Sequence, residues 1–92
     1  MSSRRLRVPE EIRVAIVRLP PDTKRKVRAA LAAVLDEPNV GEPLRDRLSG
    51  YRRIRLGRWR VVYRERAAVV EVVAIGPRAT VYEDLLARLG RR

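Results

Sequence analysis

Hydrophobic positions along this chain change their spacing several times, and each change predicts an element. Leu6 and Val8 alternate around Arg7, which allows a brief first strand. Ile12, Ala15, Ile16 and Leu19 then fall at helical spacing; Pro9 suits a first helical position, and Glu10 and Glu11 complement the amino-terminal dipole. A helix is predicted over Pro9 to Leu19, broken by Pro20-Pro21. Asp22 offers an N-cap to a second helix, in which Val27, Ala30, Leu31, Val34 and Leu35 form one stripe ending at Glu37-Pro38. So short a link predicts an antiparallel helical hairpin. Residues 38–50, with two Pro, two Gly, Asn39 and Ser49, read as a loop anchored by Leu44 and Leu48.

From Tyr51 to Tyr63 the period falls to two. Arg53 and Arg55 alternate with Ile54 and Leu56, Gly57-Arg58 supplies a tight turn, and Arg58, Arg60 and Val62 alternate with Trp59, Val61 and Tyr63. This is a β-hairpin with an arginine face. A turn near Arg66 to Ala68 leads to Val69–Ile75, apolar throughout except Glu71, which reads as a central strand buried on both faces. Gly76-Pro77 ends it. Thr80-Val81-Tyr82-Glu83 has the pattern of a capping box, opening a helix whose Tyr82, Leu85, Leu86 and Leu89 share a face until Gly90. The predicted fold is α+β: one two-layer domain over residues 1–92, a helical hairpin packed on an antiparallel sheet in the order β-α-α-β-β-β-α, with the helices on one face.

Charge sharpens this picture. Of a net +11 over 92 residues, +7 lies between positions 45 and 66, where nine Arg face only Asp46 and Glu65. Such a surface suits a polyanion. Twenty Arg against two Lys fits either selection for phosphate recognition or a codon bias, so the clustering carries more weight than the ratio. The absence of Cys and His excludes disulfides, thiolate or imidazole catalysis and nearly every zinc site. No cofactor or metal is called for. The basic start runs into Pro9-Glu10-Glu11 and not into an apolar run, and no stretch is long enough for a membrane span, so the expectation is a cytoplasmic protein without a membrane partner.

Arg53, Arg55 and Arg60 project from the hairpin, and Arg78 and Tyr82 follow the end of the central strand; together they can surround one phosphate. In phosphodiester cleavage, guanidinium groups would hold the phosphoryl oxygens while Tyr82 takes the ribose 2′-hydroxyl proton, since nearby positive charge favours a phenolate. Plainer readings stand beside these. Arginines on alternate strand positions also make an ordinary wet face, and Tyr82 shares an apolar stripe that fits packing. Trp59, Tyr51 and Tyr63 fit core or rim positions as well as base stacking, and Glu71 fits a face residue paired with Arg.

LPPDTKRKVRAAL, DEPNVGEPLRDRLSGYRRIRLGRWRVVY and VVEVVAIGPRATVY, covering nearly the whole chain, resemble the RelE/ParE superfamily of toxins from type II toxin–antitoxin pairs. For the RelE branch the resemblance implies a metal-independent endoribonuclease that cuts messenger RNA in the ribosomal A site, with catalytic residues at Arg53, Arg55, Arg60, Arg78 and Tyr82. It also implies a cognate antitoxin and a toxin–antitoxin hetero-oligomer. Where familiar RelE-branch members carry lysines this chain has Arg53 and Arg55, and an arginine is a poor proton acceptor. The ParE branch implies the alternative, an inhibitor of DNA gyrase with no nuclease activity. A basic nucleic-acid-binding module without toxicity is a third reading.

Overall fold

The period-two stretch forms a hairpin inside a five-stranded sheet. In the computed structural model, which describes residues 4–91, β3 (Arg52–Leu56) and β4 (Trp59–Arg66) pair antiparallel around Gly57, whose φ of 63° suits glycine. Residues 1–3 of the predicted amino-terminal segment, and Arg92, lie outside the described residues. β5 (Val69–Pro77) pairs antiparallel with β4, and β1 (Arg5–Arg7) and β2 (Glu42–Pro43) complete the order β1-β5-β4-β3-β2. The predicted antiparallel sheet is therefore mixed, because β1 runs parallel to β5. β2, a two-residue strand inside the predicted loop, has no periodicity from which it could be read.

The apolar run in β5 explains how the helices are distributed. Val61 pairs with Ile75, Val62 with Ala74 and Tyr63 with Val72, so Val73 is an extra residue that bulges β5. α1 (Glu10–Val17) and α2 (Pro21–Asp36) cover one face, where Ile12, Leu19, Val27 and Leu31 pack with Val61 and Val72. α3 (Val81–Leu89) covers the other face, where Val81 and Leu85 pack with Leu48, Val62 and Ala74. Consecutive Val61 and Val62 point to opposite faces, so both faces need cover. All helices on one face, as the sequence suggested, would have left Val62 and Ala74 to water.

Helix boundaries follow the predicted ones with local differences. α2 begins at Pro21 with extended Pro20 before it, so Asp22 sits in the first turn and not at the N-cap; there it pairs with Arg25. Thr80 holds the N-cap position of α3, but its side chain makes no capping bond, so no capping box closes. Val27, Leu31 and Val34 form the buried stripe of α2. Among the described residues no helix is long and apolar enough to cross a membrane.

Candidate active site

Cross-strand register decides which arginines meet. Arg53 lies opposite Val62 and Arg55 opposite Arg60, on the sheet face that carries α3. Val81 and Leu85, 2% and 1% exposed, anchor α3 against Val62 and Ala74, and this brings Tyr82 beside β3. Arg53 Nη1 donates to Tyr82 Oη at 3.0 Å, with the guanidinium carbon 5.9 Å from the ring centroid. Tyr82 thus combines the two readings its spacing allowed: the half-buried ring packs in the α3 core while its hydroxyl reaches the cationic cluster. The bond to Tyr82 is also what chiefly holds Arg53 above its ordinary pKa, against the opposing effect of burial.

Arg55 and Arg60, directly opposed, would repel if both pointed along the same line. Each takes its own acceptors. Arg60 is 8% exposed and donates to the Gly57 and Trp59 carbonyls at 2.7 and 2.8 Å, folding back on the turn. Its predicted projection into solvent is thereby corrected: alternation assigns a face but not the reach of a long side chain. Arg55 pairs instead with Glu42 at 2.8 Å, and Glu42 also lies 3.4 Å from Arg53 Nε. Arg78 begins just past β5, its amide donating to the Arg58 carbonyl at 2.8 Å. Its exposed guanidinium has no hydrogen bond or ion pair among the described residues.

The fold therefore gathers Arg53, Arg55 and Tyr82, places Arg78 by the hairpin tip, and withdraws Arg60 into the turn. Sequence reasoning missed Glu42, which β2 pairing sets directly across from Arg53. Its flanking Gly41 and Pro43 were the only signal. Together the groups form a carboxylate and a phenol bracketing two guanidinium groups, an arrangement able to bind a phosphoryl group and move protons beside it. Among the described residues no carboxylate group is arranged to hold a metal ion.

The remaining candidates are structural. Tyr63 is fully buried and Trp59 packs on the α1/α2 face. Tyr51 is stacked by Arg64 at 5.4 Å. Glu71 pairs with Arg7 and Arg64 at 3.1 and 3.2 Å; burial acts to raise its pKa, but the hydrogen bonds and charges of the two arginines prevail and hold it low.

A family model described as the ParE toxin of type II toxin–antitoxin system, parDE, matches residues 6–82. None of the curated protein sequences matches the chain. Among solved structures, the RelBE toxin–antitoxin complex from Mycobacterium tuberculosis is similar at 29% identity and a TM-score of 0.70, over 82% of this chain and 98% of that chain. A variant of the E. coli toxin RelE in the free state is similar at 22% identity and a TM-score of 0.77, over 96% and 98%. The archaeal RelE–RelB complex from Pyrococcus horikoshii gives 20% and 0.63, over 83% and 96%. The last two likenesses concern the fold. With a family match over most of its length and this fold beneath it, the chain belongs to the ParE toxin family of type II toxin–antitoxin systems, within the RelE/ParE superfamily.

Proposed function

We propose that this toxin is an endoribonuclease that cuts messenger RNA on the ribosome, without a metal ion. The observation that carries the reading is the Tyr82 hydroxyl held 3.0 Å from Arg53, with Arg55 and Glu42 alongside. Arg53 and Arg55 neutralise the charge gathering on the phosphoryl oxygens, and Arg78 supplies a further exposed cation from the hairpin tip. The 2′-oxygen attacks phosphorus, its proton passes to the Glu42 carboxylate, and the bond to the 5′-oxygen breaks as that oxygen takes a proton from Tyr82. Because Tyr82 Oη already accepts from Arg53, its own proton is free to be donated, so Tyr82 serves as the acid and Glu42, not Tyr82 as its sequence context suggested, takes the 2′-proton. Arg60 orders the turn that presents these groups.

A cognate antitoxin is part of the proposal. The similar M. tuberculosis and P. horikoshii structures are toxin–antitoxin complexes, and a chain of net charge +11 suits an acidic partner in the cytoplasm.

A second reading, inhibition of DNA gyrase, is favoured by the ParE family match and by Arg60, whose guanidinium is spent on backbone carbonyls. Inducing the chain in a bacterium while mapping messenger RNA ends and plasmid supercoiling separates the two. New RNA ends with unchanged supercoiling support the nuclease; altered supercoiling with intact RNA supports the inhibitor.

A further inference from the structure

Glu42 comes from a two-residue strand that follows a loop, and such a segment does not hold a carboxylate against two arginines by itself. What fixes it lies beneath. Tyr63, wholly buried in β4, donates its hydroxyl proton to the Pro38 carbonyl at 2.6 Å and accepts from the Gly41 amide at 2.9 Å. The contact is close enough that a Cβ on Gly41 would stand 2.5 Å from Tyr63 Oη and 2.8 Å from Cε1. From the outside, Arg52 donates to the Gly41 carbonyl at 2.7 Å. One phenol thus joins both ends of residues 38–41, and the next residue is Glu42.

We infer that Tyr63 is a positioning residue: through Gly41 it holds Glu42 against Arg53 and Arg55, and so sets the charge that the site presents to a phosphate. This rests on the proposed role of Glu42. Held in place, Glu42 is an internal anion competing with phosphate for the same guanidinium groups. Released, it frees a cation for the ligand while leaving the reaction without its proton acceptor. Loss of Tyr63's hydroxyl therefore tightens binding and slows cleavage, opposite effects that general loosening of the fold does not produce.

The test measures binding of a single-stranded DNA oligonucleotide, which lacks the 2′-hydroxyl and cannot be cut by this chemistry, across a salt series. Glu42→Gln is expected to bind about two- to fivefold more tightly, the equivalent of one exposed ion pair, with a log–log salt slope steeper by about 0.7. Tyr63→Phe is expected to reproduce both changes and to add nothing in the Glu42→Gln background. In the unsubstituted chain the Gly41 amide should exchange as slowly as amides of β4, a reading that needs no variant to fold.

Weaker binding by Tyr63→Phe, full additivity with Glu42→Gln, or fast exchange at Gly41 would overturn the inference. RNA cleavage is followed in parallel. If the wild-type chain cuts no RNA while the binding pattern holds, the nuclease reading has failed and the positioning of Glu42 stands.

Discussion

Arg53 and Tyr82 are 29 residues apart in sequence, yet a 3.0 Å hydrogen bond joins guanidinium to phenol. The bond exists because two independent devices converge on it: hairpin register sets the face of Arg53, and the Val81 and Leu85 anchors set the placement of α3. Replacing Tyr82 by Phe keeps the packing ring and removes only the hydroxyl. Cleavage by Tyr82→Phe should fall about 10²-fold or more, the lower range of general acid–base contributions, at unchanged melting temperature. Wild-type cleavage by that variant would leave Tyr82 a packing residue.

Arg60 and Arg78, equivalent in the sequence, should behave differently. Arg78→Ala removes an exposed guanidinium with no partner among the described residues and should lower activity while shifting stability by less than about 0.5 kcal/mol. Arg60→Ala leaves the Gly57 and Trp59 carbonyls without their donor and should destabilise by about 1–3 kcal/mol. Chemical denaturation of both variants checks this; equal stabilities would contradict the assignment of Arg60 to the turn.

The β4–β5 turn carries local strain. Ala67 and Ala68 adopt φ of 51° and 65°, a conformation in which alanine's Cβ crowds the backbone. Ala68→Gly should raise stability by about 1 kcal/mol, with the strained residue's relief exceeding glycine's extra chain entropy. A lower denaturation midpoint would show that the turn is relaxed.

Acid stability should depend on Glu71. Its pKa is lowered in the folded chain, so the arginine contacts contribute fully above the unfolded glutamate value of about 4.3 and are lost as pH falls through the lower folded value. Glu71→Gln should therefore flatten the pH dependence of stability below about pH 4.3, as measured by denaturation at a series of pH values. An acid limb unchanged in the variant would place that dependence elsewhere.

Association with an acidic antitoxin should slow as salt is added while dissociation changes much less, because exposed charge is screened within about 8 Å at physiological ionic strength. Stopped-flow mixing across a salt series measures both rates. An association rate indifferent to salt would remove charge steering from the account.

How much of this was readable beforehand differs by residue. Period two between Tyr51 and Tyr63, with Gly57 at the turn, specified the hairpin's register, since a one-residue slip would have turned Ile54 and Val61 away from the core. Arg53 and Tyr82 could be brought together from charge and helical spacing. Glu42 could not, because a two-residue edge strand has no period and its position depends on Tyr63, 21 residues later. The inward fold of Arg60 was equally hidden, as a long side chain's choice between solvent and a nearby carbonyl leaves no trace in alternation. The placement of α3 opposite α1 and α2 follows from Val62 and Ala74: Ala74 lies in a run legible as buried on both faces, but Val62 shares the arginine face of the hairpin, where alternation gives no sign of cover.

Attack of a 2′-oxygen at the Arg53–Tyr82 pair, with Glu42 and Arg55 alongside, is the proposed route of RNA cleavage. Its most direct measurement is the end chemistry of messenger RNA incubated with purified toxin and programmed ribosomes, beside the Tyr82→Phe variant. Expected are a 2′,3′-cyclic phosphate on the upstream fragment and a 5′-hydroxyl on the downstream one, both at least about 10²-fold slower to form with the variant. Intact messenger RNA, with gyrase supercoiling inhibited equally by wild type and Tyr82→Phe, would contradict it.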